Sequence, residues 1–256
     1  MITVLGYTLF LLSGILCGLF GLGGSILIIP ALVYLFKFSM YKATTYCFVI
    51  VFISSLIGFV THVSQNTFKI RNILYCAIPA LLSTLFSRIW LVPAVPEEIL
   101  TLDKDHFLML TFSFFLFLAA MSTWKDKKTQ TNSSNNIMIV FIGLLVGPVT
   151  ALLGLGGGFI IVPGLVIFNN MNMKLAAASS LFVISLNMFF VFLLEIIILD
   201  FQLDILFLLS LLSLSVCGVL IGVYLLNKID VKLVKKVFSI FLLLLSLIIM
   251  SIELLY

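Results

Sequence analysis

Gly21, Gly23, Gly24 and Ser25 interrupt a stretch without a single charged residue, and Gly154, Gly156, Gly157 and Gly158 interrupt another one 133 places further on. The surrounding words match too: GLGGSILIIPALV over 21–33 and GLGGGFIIVPGLV over 154–166 share eight of thirteen positions, the proline included. Glycine lowers helix propensity by about 1 kcal/mol and an interior proline by about 3. A membrane-length segment that carries both, twice over, calls for non-helical backbone. A helix restarting after such a break, near Ile26 and near Phe159, presents N–H groups without intrahelical partners and the positive end of its dipole. Two such ends brought together make an anion site with no cationic side chain. The competing reading is that these glycines only let helices pack closely, as small residues do throughout membrane bundles. The duplication, with proline six residues beyond Gly24 and six beyond Gly157, favours a substrate site.

Hydroxyls follow each break: Thr44 and Thr45 open the next span of the first half, Ser179 and Ser180 that of the second. A hydroxyl donates to an oxyanion without bringing a charge into the membrane, or it bonds back to its own helix. Asn187 lies mid-span and fits either ligand contact or an interhelical hydrogen bond. Arg88, Glu195 and His62 are the ionisable residues of the spans, where such groups are functional hypotheses by default. Arg88 either attracts the anion or snorkels to the nearby interface. Glu195, close to a span end, is expected to reach water, and His62 borders a loop; no proton pathway is assigned to them. No GK[ST] follows the glycines and no strand precedes them, so nucleotide-loop readings fail. Cys17, Cys47, Cys76 and Cys217 sit in apolar runs without CxxC spacing and read as small hydrophobic residues, so neither metal nor cofactor is expected.

The elements that must position these residues are membrane helices. The chain has 256 residues, 63% of them hydrophobic and 9% charged, and a mean hydropathy of +1.34, far too apolar for a soluble domain. The net charge of +4 lies in short loops and indicates orientation in the bilayer rather than nucleic-acid binding. No Lys or Arg precedes Lys37, so the basic start of a secretory signal is missing and the first apolar segment is expected to stay in the protein. Spans are expected at 43–61, 73–92 and 107–124, then at 176–199, 205–226 and 234–256, with Trp124 as an interfacial anchor. The acidic loop around Glu97, Glu98, Asp103 and Asp105 is expected to be a solvated face.

These features define an all-α integral membrane protein of two homologous, inverted repeats, each a broken or re-entrant apolar segment plus three transmembrane helices. Residues 1–124 form the first repeat, 125–136 a polar linker and 137–256 the second. At about 1.5 Å per residue, Met1 to Phe36 as one helix would be roughly 50 Å long, against a hydrocarbon core of about 30 Å. Composition leaves open whether the broken segment bends back or stacks into one crossing. If each bends back, the 14 Lys and Arg divide 10 to 4 between the two faces; if each crosses, they divide 9 to 5. The positive-inside bias leans towards inversion, with both termini outside and the linker cytoplasmic.

The paired Gly-Leu-Gly-Gly segments with their prolines, the Ala43-Thr44-Thr45 and Ala178-Ser179-Ser180 stretches, and Pro96-Glu97-Glu98 before the fourth span resemble the sulfite exporter TauE/SafE family of permeases. The resemblance covers almost the whole chain. It implies a plasma-membrane permease for small anions, above all sulfur oxyanions or organosulfonates, working by alternating access. The partners implied are the anion and the lipid bilayer, with no nucleic acid and with homo-oligomerisation left open. A membrane-embedded enzyme and a noncatalytic assembly partner of another membrane complex are the alternatives. One departure is that Gly218 and Gly222 of the second half face Ser83 and Ser87 at the matching span of the first, so close helix contact is expected to be asymmetric.

Overall fold

A computed structural model describes residues 2–63, 70–96, 98–99, 102–124, 136–169, 171, 173–197, 204–226, 228 and 231–255. The linker expected at 125–136 lies outside them except for Asn136. The described chain is helical throughout, apart from one antiparallel ladder of two residue pairs, Glu98 with Asp103 and Ile99 with Leu102. That ladder stands in the acidic loop expected to be merely solvated.

The first segment breaks where the glycines stand. Helix α1 (Ile2–Phe20) stops as the backbone swings to positive φ at Gly21, Gly23 and Gly24. Helix α2 (Ser25–Pro30) then starts, with Gly24 at φ 70 as its N-cap. Pro30 brings no N–H to the helical ladder, and the chain continues over Ala31–Leu35 in a wider, π-type turn. The returning piece lies back along α1. Gly24 is level with Ser13 and Cys17, while the Phe36 ring reaches Gly6 and packs on Tyr7 and Phe10. The break is therefore a bent-back hairpin, not two pieces stacked end to end.

The second segment repeats the design. Helix α7 (Asn136–Leu153) ends before positive φ at Gly154, Gly156 and Gly157, and α8 (Gly158–Phe168) folds back. Gly157 lies against Val146 and Gly164 against Ile142.

Helix α3 (Met40–Val63) and helix α9 (Met173–Ile197) form the central pair. They run antiparallel, with Phe52 on Phe189 and Phe59 on Phe182 at ring separations of 5.0 and 5.1 Å. Helix α4 (Ile70–Phe86) widens into a π-type stretch over Ser87–Leu91 before the short α5 (Val92–Ala94). Helices α6 (Lys104–Trp124), α10 (Ile205–Leu226) and α11 (Val231–Leu255) complete the bundle.

The long helices pack crosswise between the halves. Gly14 and Gly18 of α1 meet Gly218 and Gly222 of α10, running parallel, so closely that a Cβ on Gly14 would stand 2.0 Å from the Ser215 carbonyl oxygen. In the matching place Gly143 and Gly147 of α7 meet Ala80 and Ser83 of α4, also parallel, and the Ser83 hydroxyl donates to the Leu144 carbonyl at 2.8 Å. Four glycines on one side thus face two glycines and a hydrogen-bonded serine on the other.

Among the described residues, five helical stretches of 18 to 24 residues are long and apolar enough to cross a membrane: 40–62, 73–94, 104–121, 174–197 and 205–225. Leu82, Phe86 and Trp90 on α4 and Leu206 and Leu209 on α10 are exposed. In a bilayer these side chains face acyl chains, and the core lies where the two hairpins meet α3 and α9.

Candidate functional site

The two glycine loops touch at the centre of the bundle. A Cβ on Gly158 would lie 2.7 Å from Leu22 Cα and 2.8 Å from the Gly21 carbonyl, and one on Gly156 would lie 3.7 Å from the Ser25 hydroxyl. Gly23 and Gly156 both rest on Ile184 of α9, and Gly23 also on Val51 of α3, the residue 133 places before Ile184. All residues from Gly21 to Pro30 are buried, as are those from Leu153 to Phe159. The site is thus closed to both sides of the protein.

Two helix starts with opposite approaches meet there. Gly24 and Gly157 cap α2 and α8 without any side-chain hydrogen bond, so the first N–H groups of both helices are left to the interior. Ser25 Oγ, at the first of these starts, and both amide atoms of Asn187 on α9 are buried with no hydrogen-bond partner among the described residues. Asn187 lies on α9 between Ile184 and Met188, the two residues that touch Gly156. A buried amide with four unmet hydrogen-bonding positions carries a substantial desolvation cost, and a polar solute lodged against the loops offsets it.

The carbonyl ends of α1 and α7 are bound separately. Ser180 donates to the Gly21 carbonyl at 2.6 Å, and Cys47 Sγ stands 3.7 Å from the Gly154 carbonyl; 47 and 180 are themselves 133 apart. Likewise His62 Nε2 lies 3.0 Å from the Gly18 carbonyl, and Arg88 Nη1 donates to the Ala151 carbonyl at 2.8 Å. These contacts take up carbonyls at the helix ends, while at the helix starts the Leu27 and Ile160 N–H groups bond back to the Gly24 and Gly157 carbonyls.

The other candidates fall on both sides of this site. Thr44 lies beside Gly154, its methyl 3.2 Å from the Cβ position, and its hydroxyl donates to the Tyr41 carbonyl. The Thr45 hydroxyl also bonds back to Tyr41. Ser179 is directed to Met171 Sδ at 3.7 Å, away from the loops.

Arg88, Glu195 and His62 are not where distance from a span end suggests. Arg88 is 2% exposed rather than snorkelling, Glu195 is fully buried rather than in water, and His62 is 2% exposed. Helix α4 carries on through its π-type turn to Ala94, which keeps Arg88 inside the bundle. There Arg88 Nε pairs with Glu195 Oε1, and Tyr41 donates to Glu195 Oε2 at 2.7 Å. The guanidinium stands over the Tyr41 and Phe48 rings at 4.7 and 5.1 Å. A signal for this was present in the sequence, since His62 and Glu195 are 133 residues apart and occupy matching positions. A second cluster, around the buried Glu253, escaped the sequence altogether: Glu253 of α11 accepts from the half-buried Tyr34 hydroxyl at 2.5 Å and pairs with the partly exposed His106 Nδ1 at 2.5 Å.

A bundle of apolar helices built around two bent-back hairpins defines a multi-pass membrane protein. The sequence model of the sulfite exporter TauE/SafE family matches residues 7–249, and the chain belongs to that family. It is also similar to a protein of Haemophilus influenzae (strain Rd) named "Probable membrane transporter protein", with 29% identity over 180 residues. That match takes in 67% of this chain and 65% of the relative, so the chain spans just under two thirds of the relative's length.

Proposed function

We propose that the protein is a plasma-membrane permease for small anions, sulfur oxyanions or organosulfonates, and not an enzyme. The observation that carries this reading is the meeting of two glycine-capped helix starts at Ser25, whose hydroxyl is buried and unpartnered, on the helix α9 that also carries the buried, unpartnered Asn187. Backbone N–H groups, a hydroxyl and an amide bind a compact oxyanion from several sides, and the helix dipoles add attraction without a fixed charge. Family membership supports transport over catalysis and points to sulfur oxyanions as the solutes to try first.

Because α2 returns beside α1 and α8 beside α7, each half enters and leaves its hairpin on one face and has three further crossings. Two such halves insert with opposite orientation, a recurring transporter design. The closed centre between them is the occluded arrangement, and rocking one half against the other opens it to either face in turn. Purified protein in liposomes, offered sulfite, sulfate, thiosulfate and methanesulfonate, tests the reading. Flux of at least one anion is expected, with a tenfold or greater fall in Ser25→Ala and Asn187→Leu. No flux of any of the four by correctly inserted protein refutes it.

A further inference from the structure

Among the described residues a buried ion pair stands beside the closed site, and that pair joins the two halves. Arg88 belongs to the π-type turn after α4 and Glu195 to α9, and both are buried. Around them stand Tyr41 and Thr44 of α3, with Thr44 Oγ1 3.5 Å from Arg88 Nη2, and the Ala151 carbonyl of α7. Ala151 is three residues before Gly154, and Thr44 packs on Gly154 directly, so the guanidinium adjoins the second glycine loop. A buried ion pair adds little stability over an apolar pair of the same size. A widened turn inside a helix recurs at functional sites.

We propose, building on the permease reading, that Arg88 and Glu195 form a displaceable latch through which anion movement is coupled to proton uptake. The planar guanidinium fork suits two oxygens of a carboxylate and equally two oxygens of a sulfonate, sulfite or sulfate. An anion entering past Gly154 thus competes with Glu195 for the same donors. When Arg88 changes partner, Glu195 keeps the Tyr41 hydroxyl and loses its counter-charge. A buried carboxylate in that condition neutralises by binding a proton. The carboxylate and one proton from water on the open face become the carboxylic acid, and no electrons move. On the opposite face the anion leaves Arg88, Glu195 returns its proton to water and the pair re-forms.

Among the described residues, the titratable groups facing Glu195 are Arg88 from the α4 side and Tyr41 from α3, and α7 contributes the Ala151 carbonyl to Arg88. The positions matching Arg88 and Glu195 in the other half hold Ile221 and His62, so the latch exists once and carries one proton per cycle.

Liposomes with an entrapped pH dye and the wild-type protein are given sulfate, thiosulfate and methanesulfonate, which do not titrate near neutral pH, and sulfite. Anion flux and proton flux are recorded together, with and without an imposed pH gradient. The expected result is anion accumulation on the alkaline side, and a proton-to-anion ratio that is lower by one proton in Glu195→Gln at whatever residual rate that variant keeps. Equal ratios in wild type and Glu195→Gln overturn the latch and leave the permease reading standing. If the variant fails to insert, wild-type flux indifferent to the pH gradient overturns it as well. No movement of any anion by the wild type removes the permease reading and the latch with it.

Discussion

Ser180 donates its hydroxyl hydrogen to the Gly21 carbonyl at 2.6 Å, a bond that fastens α9 of one half to the glycine break of the other. The same hydroxyl also bonds Ala177, so Ser180 is shared between its own helix and the break. Removing it leaves a buried carbonyl unsatisfied, which costs about 1–3 kcal/mol. Ser180→Ala is expected to lower the thermal unfolding temperature of the purified protein. Ser180→Cys, which copies the weaker donor found at Cys47, is expected to fall between wild type and alanine. Equal melting temperatures for all three would show that the bond holds nothing.

Alanine at the glycines separates folding from transport. At Gly21, with φ +67, the new Cβ would stand 2.5 Å from the Ala177 carbonyl oxygen. Neither backbone gives way easily, and the left-handed conformation adds about 1–2 kcal/mol, so Gly21→Ala is expected to be recovered poorly from membranes. At Gly156 the nearest atoms are Ile184 Cγ2 and Met188 Cε, both at 3.3 Å, and Met188 is flexible. Gly156→Ala carries the same left-handed cost, its φ being +66, but no backbone clash, so it is expected to insert better than Gly21→Ala and to lose most of its anion flux, because its methyl faces Ser25. Gly156→Val is expected to lose the remainder. Yield in membranes and flux in liposomes, measured on the same preparations, decide this.

The glycine breaks, five of the six spans and the polar residue in mid-span were legible because each departs from a uniform apolar background. Glycine and proline punctuate a helix, and charges mark the loops. The return of α2 along α1 was not legible, because the residues of a bent-back pair and of a stacked pair have the same apolar pattern. Arg88 and Glu195 were misplaced for a related reason. Distance from a span end does not set their depth, because they pair with each other across the halves and with Tyr41 and the Ala151 carbonyl inside the bundle. Tyr34, His106 and Glu253 are brought together across up to 219 residues of chain, and no local pattern connects them.

That last cluster anchors the returning end of the first hairpin. Tyr34 lies in the π-type turn after α2 and donates its hydroxyl to Glu253 of α11, which His106 of α6 shares. Glu253→Gln exchanges a charge-assisted acceptor for a neutral one, at a cost of about 1–2 kcal/mol. Backbone hydrogen exchange over 31–35 is expected to speed up severalfold, while exchange in α3 stays as it was. Tyr34→Phe is expected to have the same local effect. Exchange unchanged in both variants would mean that packing alone holds the hairpin end.

The direction of α2 makes a further commitment about which loops share a face. Phe36 packs against Tyr7 near the start of α1, so Lys37 emerges on the face from which α1 enters. Three crossings, by α3, α4 and α6, then bring the chain to the other face. There α7 enters, α8 returns, and α9 and α10 cross twice more, so Lys228 emerges opposite Lys37. Had each glycine segment been a single crossing, Lys37 and Lys228 would lie on the same face. Lys37 and Lys228 are both exposed, which makes them suitable for single cysteines in a chain carrying Cys217→Ala, the other three native cysteines being buried. A membrane-impermeant maleimide is expected to label Lys37→Cys and Lys228→Cys in vesicles of opposite sidedness. Labelling of both in the same vesicles would overturn the opposed insertion of the halves, and alternating access by rocking one inverted half against the other would lose its structural basis.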